Sequence, residues 1–453
     1  MKTINKRVFI IAVCAAVFSV FAVVLMISVF SHAQEYALKS ANNHLFTKGV
    51  LTSGGDIYDS NGVPLSYSED GKRYYADERK VREAMLHILG DNNGFIANGI
   101  QSNFKKELSG YSLIFGVDTN SKISMKLTLD SQVCVEAYEA LGSRKGTVGV
   151  YNYKTGEIVC IATSPSFDIL NKPDDIDSDD SGKYEGVYIN RLFNGLYVPG
   201  STFKTVTALA AVENIGDIYT RTFNCTGEYD AGDGKVICND VHGEVSFEEA
   251  LNCSCNAAFA QIANELGGAK LTEAFNQAGL GSSYSADRVK TSVGRLNLDN
   301  ISKVDLGWAG IGQYTTLVNP YSMMVFMGAV ANGGTTVKPY FVESVSDDRG
   351  NIIYTADKSD SGVNIPQSAA ASLKTLLRSN VENYYGDYRF GSLTLCGKTG
   401  TAEVGDDKKP HSWFVGFSED ESFPYAFVVV VENAGGGLAN AGPVAADVLQ
   451  SIK

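Results

Sequence analysis

The sequence predicts an α+β protein with one N-terminal membrane-spanning helix, a small membrane-proximal domain and a larger body. Three observations predict this order. A long apolar run stands near the N-terminus, a polar and mixed stretch follows it, and strand-like and helix-like patterns then alternate to the end of the chain. We place a short tail at 1–7, the anchor at 8–30, a membrane-proximal pedestal at 31–122 and the main domain at 123–453.

Composition and charge exclude several classes of protein. The 453 residues are 44% hydrophobic and 20% charged, which is ordinary for a folded protein and excludes a wholly disordered or collagen-like chain. The net charge is −13, and no basic tract follows the extreme N-terminus. This charge pattern argues against nucleic acid as a partner.

The N-terminal apolar run predicts the compartment. Lys2, Lys6 and Arg7 precede an uncharged stretch from Val8 to Phe30, which is long enough to cross a hydrocarbon core of ~30 Å as one helix. A cleaved signal peptide is the alternative, although signal cores run only ~7–15 apolar residues. Positive charge before the run predicts a cytoplasmic N-terminus and an extracytoplasmic body.

Local patterns predict the first elements of both domains. The pedestal has a turn signal at 59–62 and a helical pattern around 77–89. In the main domain, a strand near Lys126 precedes a helix that contains Val133 to Leu141. Two strands, 147–153 and 157–163, then flank the glycine-containing turn of a hairpin.

The segment Ser201-Thr202-Phe203-Lys204 carries the first candidate catalytic pair. It follows Pro199-Gly200 and opens an apolar helical run, which places a hydroxyl at the positive end of a helix dipole. Residues three apart share one helix face, so the Lys204 amine can approach the Ser201 oxygen. The amine can accept a proton only if burial or a second cation lowers its pKa from about 10.4, which predicts a second lysine nearby.

Two further short signals follow in order. Ser254-Cys255-Asn256 lies in a helix-like stretch, and Lys398-Thr399-Gly400-Thr401 lies in a strand-like one. Two decoys match parts of this pattern. We interpret Ser102-Asn103-Phe104-Lys105 as an exposed amphipathic segment of the smaller domain, and Lys154-Thr155-Gly156 as the tip of the hairpin.

The ordered trio resembles the motifs of serine β-lactamases and penicillin-binding proteins. The longer stretches 197–204, 397–403 and 412–417 are similar to class B penicillin-binding proteins, the PbpA-like peptidoglycan D,D-transpeptidases. This resemblance covers nearly everything after about Leu127. The stretch 55–62 also resembles the pedestal motif of that family, although Ser53-Gly54 stands where an Arg-Gly pair is common.

The resemblance implies a fold and a mechanism. It implies an antiparallel sheet flanked by helices, with the cleft between the sheet and a helical cluster. Ser201 would attack the carbonyl of a D-Ala-D-Ala peptide, and backbone N–H groups of Ser201 and Thr401 would hold the oxyanion. Lys204 would take the serine proton, and Ser254, between Lys204 and Lys398, would relay a proton to the departing D-alanine.

The same resemblance implies the substrate contacts and the partners. Lys398, Thr399, Gly400 and Thr401 would receive the terminal carboxylate, and the Asn256 amide would contact the substrate backbone. The expected partners are peptidoglycan stem peptides as donor and amine acceptor, β-lactams as covalent inhibitors, the bacterial cell membrane, and a membrane glycosyltransferase of the shape, elongation, division and sporulation family. No metal or organic cofactor is expected.

Alternative functions remain open at this point. A serine β-lactamase or β-lactam sensor shares the trio, and the stretch 248–252 superficially matches a Glu-x-x-Leu-Asn motif of such enzymes. That stretch runs directly into Ser254, whereas in those enzymes the motif follows the corresponding element. A catalytically silent scaffold for wall synthesis is the other alternative. The choice between elongation, division and sporulation is also open.

The eight cysteines are the last sequence signal. A local disulfide between Cys225 and Cys238 is geometrically reasonable in an oxidising compartment. Cys253, Cys255 and His242 invite a zinc interpretation, but the usual paired C-x₂₋₄-C spacing is missing, so we expect no zinc site. For His242 we expect a structural role.

Overall fold

The computed structural model describes residues 2–39, 46–47, 50–112, 114, 116–117, 122–405 and 407–453. Its helices are α1 (Lys2–Ala37), α2 (Arg79–Ala84), α3 (Leu86–Leu89), α4 (Ile100–Asn103), α5 (Lys105–Leu108), α6 (Ser131–Leu141), α7 (Arg191–Asn194), α8 (Lys204–Asn214), α9 (Phe247–Asn252), α10 (Asn256–Gln277), α11 (Lys303–Gly310), α12 (Pro320–Ala331), α13 (Gln367–Ser379) and α14 (Gly437–Ile452). Short 3₁₀ helices cover Gly200–Phe203, Ile218–Thr220 and Asp387–Phe390, and a π-helix covers Asn380–Tyr385.

The strands form two large sheets and several two-stranded ribbons. In chain order they are β1 (Phe46–Thr47), β2 (Val50–Leu51), β3 (Asp56–Tyr58), β4 (Pro64–Glu69), β5 (Lys72–Tyr75), β6 (Tyr111–Ser112), β7 (Gly116–Val117), β8 (Ser124–Leu127), β9 (Gly146–Asn152), β10 (Ile158–Ser164), β11 (Thr222–Cys225), β12 (Glu228–Asp230), β13 (Lys235–Ile237), β14 (Gly243–Ser246), β15 (Ser285–Ala286), β16 (Val289–Lys290), β17 (Val342–Ser346), β18 (Ile352–Thr355), β19 (Leu395–Ala402), β20 (His411–Ser418) and β21 (Tyr425–Val431).

Helix α1 contains the predicted anchor. Its segment Asn5–Ala37 is long and apolar enough to cross a membrane. The apolar side chains between Val8 and Phe30 are largely exposed, so this part of the helix has no protein core around it. Among the described residues this is the one helix of that length and apolar character, which is compatible with a single-pass membrane protein.

The main domain is built on a five-stranded sheet of order β10-β9-β21-β20-β19, with antiparallel neighbours throughout. Helices α6 and α14 pack together against it, α12 packs against β20 and β21, and α13 packs against β19. In β21, every residue from Ala426 to Val431 is buried. A strand is buried throughout only when both faces of its sheet are covered, so the predicted antiparallel sheet flanked by helices is confirmed.

A second sheet joins the pedestal to later parts of the chain. Its order is β18-β17-β8-β3-β4-β5, with β3 and β8 parallel and the other neighbours antiparallel. Strands β3, β4 and β5 precede residue 122, whereas β8, β17 and β18 follow it. The proposed domain division at 122/123 therefore runs between hydrogen-bonded neighbours of one sheet.

Buried Asp59 fixes the turn predicted at 59–62. Its carboxylate accepts hydrogen bonds from the backbone N–H groups of Asn61 and Val63 at 2.9 and 2.8 Å, and from the Ser131 hydroxyl at 2.7 Å. Gly62 has φ of +81°, a conformation that glycine adopts without strain. One carboxylate thus closes the turn and attaches it to the first residue of α6.

Several local predictions agree with these elements, and one does not. The helix around Val133 is α6, and the hairpin strands are β9 and β10, which pair antiparallel. The helical pattern at 77–89 corresponds to α2 and α3, which follow each other with Met85 between them. The segment 102–105 is not an exposed surface, since Phe104 is fully buried with its ring edge-to-face on Tyr354 at 4.9 Å.

Candidate active site

Residues 197–204, the nucleophile turn, present the Ser201 hydroxyl to a cleft. The turn is held by backbone hydrogen bonds from Tyr197 to Val318 at 3.0 Å and from Gly200 to Gly312 at 2.9 Å. Gly200 has φ of +52°. The chain then enters a 3₁₀ turn that contains Ser201 and continues as α8 from Lys204, as the sequence predicted for this helix.

Two glycines let the nucleophile turn lie against strand β19. A Cβ on Gly200 would lie 2.7 Å from the Thr401 carbonyl oxygen, and a Cβ on Gly400 would lie 2.7 Å from the Pro199 carbonyl oxygen. A side chain at either position would therefore clash with the backbone of the opposing segment. From the neighbouring strand, buried Trp413 donates its indole N–H to the Val198 carbonyl at 3.1 Å. This close packing brings the Lys398 strand to the edge of the cleft.

Lys204 is fully buried and lies at the centre of the site. Its Nζ is 3.2 Å from Ser201 Oγ and 3.1 Å from Ser254 Oγ. It also donates to the Ser254 carbonyl oxygen at 2.6 Å and to Asn256 Oδ1 at 2.7 Å. Burial, followed by the positive charge of Lys398, lowers the pKa of Lys204 to about 7.

Lys398 is the second lysine that the sequence argument required. Its Nζ lies 3.2 Å from Ser254 Oγ, opposite Lys204, and donates to the Thr399 carbonyl oxygen at 3.1 Å. Burial lowers the pKa of Lys398 to about 7. The two amines thus share one serine hydroxyl, and both have an accessible neutral form near neutral pH.

Ser254 lies in a bend between two helices, so of the three residues predicted in a helix-like stretch only Asn256 is helical. Helix α9 ends at Asn252 and α10 begins at Asn256. Between them Ser254 has φ of +57°, which is uncommon for a residue with a side chain. This backbone turn directs both its carbonyl oxygen and its hydroxyl toward Lys204. Asn256 completes the bend by donating from Nδ2 to the Ile237 carbonyl at 3.1 Å.

Strand β19 presents Thr399, Gly400 and Thr401 along the other side of the cleft. The Thr399 backbone N–H donates to the Tyr385 hydroxyl at 2.9 Å, and the two hydroxyls of this pair are also 2.9 Å apart. Thr401 is exposed, and its hydroxyl accepts from the Gly437 N–H at 3.2 Å. The Thr399 and Thr401 side chains line the cleft from β19, and Ser201, Ser254 and Asn256 line it from the helical side.

The cleft is open and has a volume of about 810 Å³. Besides the predicted residues, it is lined by Ile237, Cys238, Asn239, Trp308, Ile311, Gln313, Tyr314 and Glu403. These residues were not predicted from the sequence. Of these residues, only Glu403 lies in a stretch that carried the family resemblance, 397–403. Tyr385 was not predicted either; it is buried, and its hydroxyl lies 3.4 Å from Lys398 Nζ. Only the aromatic pair Tyr384-Tyr385, in an otherwise polar stretch, could have drawn attention to that segment.

The glutamates of the β-lactamase-like match have structural partners. Glu249 forms a capping box with Ser246 at the start of α9, and the Ser379 hydroxyl donates to Glu248. Neither glutamate lines the cleft. These contacts give both glutamates structural roles at α9, and they do not support the β-lactamase-like match.

Comparisons with known proteins agree with this fold and site. Residues 146–450 match the family model described as "Penicillin binding protein transpeptidase domain". The chain is 25% identical over 429 residues to peptidoglycan D,D-transpeptidase PbpA of Mycolicibacterium smegmatis, covering 87% of this chain and 86% of that protein. It is 27% identical over 472 residues to stage V sporulation protein D of Bacillus subtilis, covering 94% and 71%.

Solved structures give the same fold. The D,D-transpeptidase domain of a peptidoglycan glycosyltransferase from Eggerthella lenta superposes with a TM-score of 0.77 at 24% identity, covering 88% of this chain and 98% of that one. PBPA from Mycobacterium tuberculosis superposes with a TM-score of 0.75 at 22% identity, covering 88% and 99%. Related structures of that protein include acyl-enzyme complexes with penicillin G and imipenem.

A serine hydroxyl beside a buried lysine, at the border of a helix-flanked antiparallel sheet, defines a serine acyl-transferring enzyme. Within that class, the chain belongs to the family that carries the penicillin-binding protein transpeptidase domain.

Proposed function

We propose that this protein is a membrane-anchored peptidoglycan D,D-transpeptidase whose nucleophile is Ser201. The observation that carries the proposal is the 3.2 Å contact between Ser201 Oγ and the Nζ of a lysine that is fully buried beside a second buried lysine. This arrangement supplies a base near neutral pH without a histidine. The match of residues 146–450 to the transpeptidase family supports D-Ala-D-Ala stem peptides as the substrate class.

The contacts of Lys204 suit it to act as the base. Its neutral amine has two hydrogens and one lone pair. The hydrogens are directed to the Ser254 carbonyl and to Asn256 Oδ1, at 2.6 and 2.7 Å, which leaves the lone pair for the Ser201 hydroxyl. As Ser201 Oγ attacks the penultimate D-alanine carbonyl, its proton passes to Lys204. Backbone N–H groups of Ser201 and Thr401 stabilise the resulting oxyanion.

Ser254 carries the proton to the leaving group. Its hydroxyl lies 3.1 Å from Lys204 Nζ and 3.2 Å from Lys398 Nζ, so a proton received by Lys204 can pass through Ser254 toward the scissile nitrogen. The C–N bond then breaks, D-alanine leaves as the amine, and the peptide stays on Ser201 as an ester. Attack by an amine of a neighbouring stem peptide forms the cross-link and returns the proton to the serine.

The remaining predicted residues hold the substrate. The Thr399 and Thr401 side chains and the Lys398 amine offer donors and positive charge to the terminal carboxylate, and Gly400 keeps the strand backbone close to the nucleophile turn. Asn256 already accepts from Lys204 and donates to Ile237. Its first task is therefore to orient Lys204, and its second amide hydrogen contacts the substrate backbone.

The proposal includes an orientation and partners. Basic residues before the apolar helix favour a cytoplasmic N-terminus, with residues 31–453 outside the bacterial cell membrane. Within that part we propose the pedestal at 31–122 and the catalytic domain at 123–453. A transpeptidase acts on glycan strands made by a polymerase, so we propose a membrane glycosyltransferase partner of the shape, elongation, division and sporulation family. β-Lactams would acylate Ser201 and inhibit the enzyme.

Labelling and product analysis of the full-length chain in detergent test this function. Fluorescent penicillin should label the protein, Ser201→Ala should abolish labelling, and Ser102→Ala, in the second Ser-x-x-Lys segment, should leave it intact. With a donor stem peptide and an amine acceptor, mass spectrometry should detect D-alanine and the amide product.

Three results would contradict the proposal. Rapid turnover of penicillin would indicate a β-lactamase, and release of D-alanine without amide formation would indicate a carboxypeptidase. Absence of labelling in the folded wild-type protein would indicate a scaffold without this chemistry.

A further inference from the structure

Three cysteines and a histidine meet beside the cleft, although they are spread over 31 positions of the chain. Cys225 ends β11, Cys238 follows β13, His242 precedes β14, and Cys255 immediately precedes α10. Their Sγ atoms and the Nδ1 of His242 all lie within 4.8 Å of one another. In the part of the chain that the structure describes, this is the one group of this kind.

Three of the six separations between these atoms match those of ligands around one tetrahedral ion, and the others are no longer than 4.8 Å. With Zn–S bonds of about 2.3 Å and a Zn–N bond of about 2.05 Å, tetrahedral angles require sulfur–sulfur separations of about 3.8 Å and sulfur–nitrogen separations of about 3.5 Å. The Cys238 and Cys255 sulfurs are 3.8 Å apart. His242 Nδ1 lies 3.5 Å from the sulfurs of both Cys225 and Cys238.

The surroundings of the group support thiolate ligands. The backbone N–H of Asn256 donates to Cys238 Sγ at 3.1 Å, and that of Ala258 donates to Cys255 Sγ at 3.4 Å. Such hydrogen bonds orient metal-bound sulfur and partly neutralise its charge. Cys225 and Cys255 are fully buried, so little water competes for the position between the four ligands.

We propose that Cys225, Cys238, His242 and Cys255 bind one Zn²⁺ ion. The ion forms three Zn–S bonds and one Zn–Nδ1 bond, and the three thiols release their protons to solvent, so no oxidant or reductant is needed. Four protein ligands leave no open position, which makes this a structural site rather than a second catalytic centre.

The sequence did not predict this site because the spacing of its ligands along the chain is unusual. Zinc ribbons usually supply ligands as close pairs, whereas here 12 residues separate Cys225 from Cys238 and 12 separate His242 from Cys255. The β11–β14 and β12–β13 ribbons bring the ligands together. All eight cysteines are free thiols, so the local disulfide between Cys225 and Cys238 is not formed in this structure.

The position of the site indicates that a bound ion would stabilise the bend that contains Ser254 and Asn256. Cys255 stands between Ser254 and Asn256, both of which contact Lys204. Its sulfur also accepts from the first turn of α10, and Cys238 lines the cleft. A bound ion would tie this bend to the two ribbons and hold the partners of Lys204 in place. Loss of the ion would loosen the bend without removing a catalytic side chain.

Metal analysis of the full-length chain, purified in detergent with a thiol reductant and without chelator, tests the proposal. Elemental mass spectrometry should find about one zinc per chain, as a closed four-ligand site requires. Cys255→Ser and His242→Asn should each weaken zinc binding by more than the ~10–100-fold that outer-sphere substitutions cost. Cys253→Ser is the matched control, because this neighbouring thiol lies outside the group and should leave zinc content unchanged.

A spectroscopic test on the unmutated chain avoids the risk that a variant fails to fold. Cobalt(II) added to the reduced, metal-free protein should give the intense d–d bands of a tetrahedral site and a thiolate-to-cobalt charge-transfer band, and zinc should displace both. The proposal is overturned if the reduced protein binds neither metal. It is also overturned if zinc content survives Cys255→Ser, or if intact mass shows a Cys238–Cys255 disulfide that persists in place of metal.

Discussion

Replacing Lys398 by methionine tests whether a second cation sets the reactivity of Lys204. Methionine keeps an unbranched apolar chain in the buried position but removes the charge. Each lysine nitrogen lies within 3.2 Å of Ser254 Oγ, so the two nitrogens are at most about 6 Å apart. At an effective dielectric constant of about 20, two unit charges at that distance repel by about 3 kcal/mol, or about 2 pKa units.

The expected result is an upward shift in the pH dependence of acylation. Lys204 must be neutral to accept the Ser201 proton, so the wild-type rate should rise as pH increases through about 7. Burial is the larger cause of the lowered pKa of Lys204 and persists in Lys398→Met. We therefore expect the midpoint to move up by ~1–2 units. The rate at pH 7 should fall by ~5–50-fold, because half of the wild-type Lys204 is already neutral at that pH, and the rate should partly recover at higher pH.

Stopped-flow acylation by fluorescent penicillin between pH 5.5 and 10 measures this shift. Thr401→Val is the control, since it removes a cleft hydroxyl without changing charge and should lower the rate with no change in midpoint. A Lys398→Met profile that is uniformly lower but keeps the wild-type midpoint would refute the electrostatic reasoning. It would leave Lys398 with a role in substrate binding alone.

Three other substitutions test the packing around the site. Gly400→Ala should lower the acylation rate at least tenfold and cost ~1–3 kcal/mol in thermal unfolding, because the new methyl group meets a carbonyl of the nucleophile turn at 2.7 Å; an unchanged rate would contradict the close approach. Asp59→Ala should cost about 1–3 kcal/mol by leaving buried donors unpaired, while penicillin labelling at low temperature persists. Arg191→Met should destabilise the fold by ~3–5 kcal/mol, because the half-buried Glu432 carboxylate loses the cation that it pairs with. Adding Glu432→Gln to Arg191→Met should recover part of that loss, because it removes the unpaired charge.

The sequence predicts most of the catalytic geometry for two reasons. Some contacts join residues that are close in the chain, and others are required for the lysine amine to be neutral. Ser201 and Lys204 are one helical turn apart, so their contact follows from the pattern alone. The need for a neutral amine required a second lysine, and Lys398 stands where that argument places it. The hairpin of β9 and β10 was likewise predictable from a glycine-containing turn between two apolar strands.

The remaining features depend on contacts between distant segments. The sequence around Ser254 has a helical pattern because the segments on both sides form helices. The positive φ of Ser254 could not be predicted, since no residue type in this stretch indicates it. Tyr385 reaches Lys398 only through the π-helical segment Asn380–Tyr385, which no short pattern predicts. The cluster around Cys255 depends on the pairing of four short strands, so spacing along the chain was the wrong criterion for it.

The sheet shared between early and late segments constrains how this protein can be made and engineered. Strand β8 pairs with β3 on one side and with β17 on the other, and more than 200 residues of chain separate β8 from β17. During synthesis, β8 therefore keeps an unpaired edge until the segment that contains β17 has been made, which is most of the polypeptide. For the same reason, a chimera that exchanges the pedestal of this enzyme with that of a relative should include β8 and the segment 342–355 as well.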